Sequence, residues 1–228
     1  MHYSLKNTIL HALEMNDLPA VVALARSDRK VLSQLVRLSY DKETLVGWRA
    51  ILAVGMAARE LVKTDPEFLR DACRKLLWSL NDESGGIGWS APELLGEIVS
   101  SDAKRFGDLI PLIAEAYWIE GGMFKAGVVC ALARISETAP EPVALHQHVI
   151  DDALAGPDSL ARIRALELVD ILLTRAGRSA LWTEGYTASL KDRILTLCED
   201  KGESWIYVED DFVAKQVGES AIAIIKTF

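Results

Sequence analysis

The stretch "LVRLSYDKETLVGWRAILAVG" (residues 35–55) aligns without a gap to "LLWSLNDESGGIGWSAPELLG" (76–96), at an offset of 41 residues. Leu35/Leu76, Asp41/Asp82, Gly47/Gly88, Trp48/Trp89, Ala50/Ala91 and Gly55/Gly96 are identical pairs. Looser copies follow. The triplet Trp48-Arg49-Ala50 recurs as Trp89-Ser90-Ala91, Phe124-Lys125-Ala126 and Ile163-Arg164-Ala165, at spacings of 41, 35 and 39. A further degenerate copy is read at "DFVAKQVGESA" (211–221). A period near 40 describes a unit of two helices that cannot bury both of its faces alone, so neighbouring units must stack.

The residues between these copies carry the same signal. Leu69, Ala72, Cys73, Leu76 and Leu80 recur three or four apart, as do Phe106, Ile110, Ile113 and Tyr117. Such spacing predicts amphipathic helices. Val213, Val217, Ala221, Ile224, Ile225 and Phe228 extend the pattern, which predicts a helix over 207–228 with "YVEDDF" at its start. Breaks fall between stripes. "TDPE" (64–67) offers Asp65 as N-cap and Pro66 at the first helical position, and "APEP" (139–142) and "GPDS" (156–159) punctuate in the same way. Strand signals are nearly absent, and the count comes to roughly ten to twelve helices.

The second helix of each unit resembles a HEAT repeat: an acid in the turn, an apolar–basic pair, then small residues facing the neighbour. "FKAGVVCALARISE" (124–137) and "IRALELVDILL" (163–173) carry the resemblance best, and it covers residues 28–177. It implies an all-α fold, a right-handed α-α superhelix of about five to six HEAT-like hairpins. The whole chain, 1–228, is read as one solenoid domain, with a degenerate N-terminal cap at 1–27 and a degenerate C-terminal repeat at 178–228. Gly55, Gly96 and Ala131 occupy one position of the repeat and are expected to let adjacent helices approach closely, whereas the fourth unit has Asp170 there.

Composition narrows the partners. A net charge of −8 and a pI near 5.1 disfavour nucleic acid and anionic membranes, which need clustered Lys and Arg. No apolar run approaches the roughly 18 residues of a membrane span, and no secretory leader is seen, so a cytoplasmic protein is expected. Cys73, Cys130 and Cys198 are far apart and set in apolar stretches, which reads as core thiols in a reducing compartment. His146 and His148, two apart, point to opposite sides of a helix and make no metal pair. No metal and no cofactor are expected, and the sequence leaves the oligomeric state open.

"NDESGGIGWSAPE" (81–93) looks at first like a phosphate loop. It lacks the Lys and Ser/Thr of a P-loop, and its gapless counterpart at 40–52 makes it the turn between the helices of one unit. In HEAT-like units a turn acid commonly pairs with the basic residue that opens the second helix. Glu43 with Arg49, Glu120 with Lys125 and Asp158 with Arg164 are expected to form such a ladder. In the 81–93 unit the basic residue is replaced by Ser90 beside Asp82 and Glu83, so Arg49 would reach across to them, or they would await an external cation or a basic partner. A plainer account has Asp82 or Ser84 capping the next helix. Glu93 and Glu97 share a helix face and would serve as a general acid/base pair of carboxylates, add to an acidic docking surface, or simply be solvated. Trp48 and Trp89 are equivalent, and with Trp78 and Trp118 nearby they would pack between units or form an aromatic row.

The candidate binding residues are Trp48, Arg49, Asp82, Glu83, Trp89, Glu93, Trp118 and Lys125; no catalytic residue is assigned. The expected function is a non-catalytic interaction or scaffold module that binds a protein partner, a basic segment, along one face. The alternative is an enzyme on the same scaffold. The resemblance supplies two precedents, the alkylpurine DNA glycosylases, which would need a basic groove, and the bilin lyases.

Overall fold

The computed structural model describes residues 4–80, 88–119, 121–176 and 181–228. Asp82, Glu83, Ser84 and Glu120 therefore lie outside the described residues. The chain is a stack of helical pairs. Helices α1 (Leu5–Glu14) and α2 (Leu18–Ser27) form the first pair. Next come α3 (Lys30–Leu38) with α4 (Leu45–Leu61), and α5 (Pro66–Ser79) with α6 (Ala91–Ser101). The fourth pair breaks its first helix into α7 (Ala103–Phe106) and α8 (Ile110–Glu115), with 3-10 turns at Gly107–Leu109 and Ala116–Trp118, before α9 (Lys125–Ser136). Helices α10 (Pro140–Ala144) and α11 (Gln147–Ala155) pair with α12 (Ser159–Ala176), and α13 (Glu184–Leu197) pairs with α14 (Val217–Ile225). This is the all-α solenoid that the sequence implies, a stack of helical pairs.

Local chemistry sets the helix starts. Asp65 accepts from the Phe68 amide and Pro66 opens α5, as the sequence indicates. Thr44 caps α4 through the Gly47 amide, and Asp17 caps α2 through the Ala20 amide. Ser90 occupies the cap position of α6 but makes no capping bond. Its hydroxyl is instead 2.7 Å from that of Ser39, both buried, so it ties the α5–α6 pair to the α3–α4 pair.

The second helices α4, α6, α9, α12 and α14 contact one another in that order and form an inner layer, against which the first helices pack. Helix α6 is buried at every position from Ala91 to Ser100. Small residues make this layer tight. A Cβ on Gly96 would lie 2.6 Å from the Ala131 Cα, so α6 and α9 touch backbone to backbone.

Two expectations are corrected here. Glu93 and Glu97 do not form a solvated acidic face, because each is only 5% exposed inside α6. Glu97 pairs with Arg134 at 2.8 Å and Glu93 with Lys42 at 2.7 Å. Glycines on the neighbouring helices make the room: a Cβ on Gly55 would fall 1.7 Å from Glu97 Oε2, and one on Gly127 2.9 Å from Glu93 Oε1. Two rungs of the turn-acid ladder are not formed either: Arg49 bonds Asp210 and Arg164 bonds Glu167. Lys125 bonds Asp152, and its expected rung with Glu120 lies outside the described residues. Asp158 accepts from the Leu160 amide at the start of α12 instead.

The third correction is the largest. Residues 203–216 are not helical but form an antiparallel hairpin of β1 (Glu203–Val208) and β2 (Asp211–Gln216), with Trp205 opposite Ala214 and Tyr207 opposite Phe212. The two-residue turn has φ of 50° at Glu209 and 70° at Asp210, as a tight hairpin of this length requires. Alternation in "ESWIYV" puts Trp205 and Tyr207 on one face and buries Ile206 on the other, where β1 packs against α12. The helical spacing holds only from Val217 onward, where Val217, Ala221 and Ile224 are buried. The hairpin thus occupies the turn between α13 and α14.

Candidate functional site

The hairpin folds back across the turn edge of the solenoid to the first units. Arg49 clamps Asp210 with two bonds, 2.6 Å from Nε and 2.8 Å from Nη2, across 161 residues of chain. Its Nη1 donates to the carbonyls of Leu13 and Glu14. Asn16 donates to Asp210 at 2.7 Å and the Tyr207 hydroxyl donates to it at 2.9 Å. Tyr207 also stacks on Trp48, with centroids 5.4 Å apart and planes 3° from parallel. The Arg49 bonds hold the Asp210 carboxyl below its usual range. Burial, then the bond to Asp210, pushes the Tyr207 phenol up to about 12.

Between this clasp and the inner helices lies a cleft of about 670 Å³. Trp48, Trp205 and Phe212 give it aromatic walls, and Met123, Ala126, Gly127, Cys130 and Leu160 add apolar lining. Five charged side chains reach it: Lys42, Glu43, Glu93, Asp158 and Arg164. Both cations are committed, Lys42 to Glu93 at 2.7 Å and Arg164 to Glu167 at 2.7 Å. The Arg164 guanidinium also sits 5.6 Å from the Trp48 ring centre. Glu43 and Asp158 are exposed at the rim and form no ion pair among the described residues. Burial pushes the Cys130 thiol up to about 11, which makes it a poor nucleophile at neutral pH.

Of the candidate binding residues, Trp48 and Glu93 meet in this cleft, joined by Glu43, Asp158 and Arg164 of the expected ladder. Arg49 lies behind it as the anchor of the clasp. Trp118 and Lys125 belong to a neighbouring cluster, where the Lys125 ammonium lies 4.7 Å from the Tyr117 ring centre and 5.6 Å from that of Trp118. Asp152 receives bonds there from both Lys125 and Tyr117, which hold its carboxyl below the usual range. Trp118 stacks on His148 at 6.2 Å. Trp89 is about half exposed and does not line the cleft. Sequence reasoning missed Lys42, Trp205, Phe212 and Asp210. The alternation of Trp205 and Tyr207 was the signal that would have exposed the hairpin.

Among the described residues no cluster of His, Cys, Asp and Glu is arranged to hold a metal ion, and no helix is long and apolar enough to cross a membrane. No family model matches the chain, and no curated protein sequence does. Among solved structures it is similar to the archaeal HEAT-like repeats protein from Thermococcus onnurineus NA1, at 14% identity and a TM-score of 0.45, over 100% of this chain and 81% of that one. The stacked helical pairs themselves, closed by a β-hairpin clasp, make this chain an α-helical solenoid.

Proposed function

We propose that the protein is a non-catalytic binding module that takes a basic polypeptide segment at the turn edge, in the cleft beneath the hairpin. One observation carries this reading: the cleft has aromatic walls and a surplus of acid. Both of its cations are paired internally, while Glu43 and Asp158 stand open at the rim. Aromatic walls supply contact area at little entropic cost, and open carboxylates select positive partners. Met123 and Ala126 line the cleft on either side of Lys125, so the surface continues toward the Trp118–Lys125 cluster. Trp89, the repeat counterpart of Trp48 and half exposed, extends the proposed surface; Asp82 and Glu83, proposed with it from the sequence, lie outside the described residues.

The glycosylase-like alternative demands a basic groove for phosphates. The cleft's charge favours the binding reading over it. No described feature favours the bilin-lyase precedent.

Affinity purification with tagged wild type, beside a Glu43→Lys/Asp158→Lys double variant, tests the proposal. The expected result is a defined polypeptide retained by the wild type and lost from the variant at an unchanged melting temperature. Retention of the same polypeptide by both proteins would overturn it.

A further inference from the structure

Glu93 and Glu97 each keep one buried carboxylate oxygen without a hydrogen-bond partner among the described residues, and of the two only Glu93 lines the cleft. It is 5% exposed and lines the cleft, and Lys42 satisfies only Oε1. Oε2 has no hydrogen-bond partner among the described residues. A buried carboxylate oxygen without a donor is costly, and native structures rarely retain one without a use. The terminal torsion of a glutamate is soft, so a small turn of the carboxylate presents this oxygen to the cleft.

What would supply the donor follows from the walls. Trp48 and Phe212 flank the site, and Trp205, 64% exposed, stands over it on β1. The arrangement calls for a flat cation with N–H groups at its edge and a face that stacks on rings. Arg164 shows that the Trp48 ring already carries one guanidinium. Glu43 and Asp158 at the rim add unpaired negative charge along the approach. A volume of about 670 Å³ exceeds what one side chain needs, which leaves room for the flanking backbone of the segment that bears it.

Resting on the binding reading above, we infer that this cleft is a receptor for a single arginine side chain of the partner polypeptide, with Glu93 as its carboxylate and Trp205 and Phe212 as its stacking walls. Arginine suits the site better than lysine because a planar guanidinium stacks and donates in the same plane, whereas an ammonium is a compact, strongly hydrated point charge.

The test is a titration of the full chain, followed by the tryptophan indole NMR signals. The probe is the peptide acetyl-Gly-Ser-Arg-Ser-Gly-amide, with counterparts in which citrulline or lysine replaces the arginine. The arginine peptide should shift the Trp48 and Trp205 signals and bind at least tenfold more tightly than either counterpart. Glu93→Gln, which keeps the shape, should weaken it tenfold or more. Trp205→Ala, at an exposed position, should do the same with the fold intact if Glu93→Gln destabilises the protein. Equal binding of the citrulline or lysine peptide, absence of binding at millimolar concentration, or shifts confined to other tryptophans would overturn the assignment. A captured partner that depends on Glu43 and Asp158 but tolerates replacement of all its arginines by lysine would leave the binding module standing and remove only the arginine receptor.

Discussion

At the scale of single residues, the decisive group is Asp210. It sits at a left-handed backbone position in the hairpin turn and gathers bonds from Arg49, Asn16 and Tyr207. Aspartate tolerates that conformation better than most residues, and the bonds offset its remaining cost. Asp210→Ala should destabilise the protein by about 2 kcal/mol, as for hydrogen bonds to charged groups. A thermal melt would show this as a fall of roughly 4–8 °C. The acid limb adds a second reading. Arg49 holds the folded-state pKa of Asp210 below its unfolded value of about 3.9, so the contribution is fully present above that pH. It is lost as pH falls from there through the lower folded value. Asp210→Asn should therefore flatten the acid limb of the stability curve. An acid limb identical to wild type would show that the pair contributes nothing.

At the scale of elements, the inner layer is governed by the volume between adjacent helices. Any Cβ on Gly96 strikes the backbone of Ala131 on α9, and neither helix can retreat without opening the stack. Gly96→Val should cost about 3 kcal/mol or more, at the upper end of overpacking effects. Gly107, in the 3-10 turn after α7, is different: a Cβ placed there would meet no atom within 4 Å. Gly107→Ala should be neutral or stabilise by up to about 1 kcal/mol through the unfolded chain. Paired urea titrations of these two variants check both values; a Gly96→Val protein as stable as wild type would contradict the close helix contact. The repeat made Gly96 legible in advance, because its identity with Gly55 marks an inter-helix position. At Gly55 the space admits the Glu97 carboxylate rather than a backbone, a use that repeat alignment does not reveal.

At the scale of the whole molecule, the hairpin converts an open stack into a clasped one. A repeat solenoid otherwise couples only nearest neighbours. Here Arg49 and Asp210 join the first units to the last across 161 residues. Arg49→Ala should raise amide exchange in β1, β2 and the end of α1, whose Leu13 and Glu14 carbonyls it also holds, while α9 and α12 keep their protection. Uniform protection of the hairpin in that variant would mean that Ile206 against α12 suffices to hold it.

Helix positions, caps and the period near 40 were determined by the sequence alone, because each depends on spacing within a few turns: Asp65 and Pro66 open α5 wherever the chain goes. The candidate site was legible in part, through Trp48 and Glu93, since they belong to the repeat. The charge partners were not. Arg49 and Arg164 choose among carboxylates brought near by stacking, and Asp210 and Glu167 were selected over the turn acids Glu43 and Asp158 by distance in space. The hairpin too was decided in three dimensions. Its apolar spacing is compatible with a helix until Ile206 meets α12 and Tyr207 meets Trp48, and tertiary burial then overrides a weak local preference.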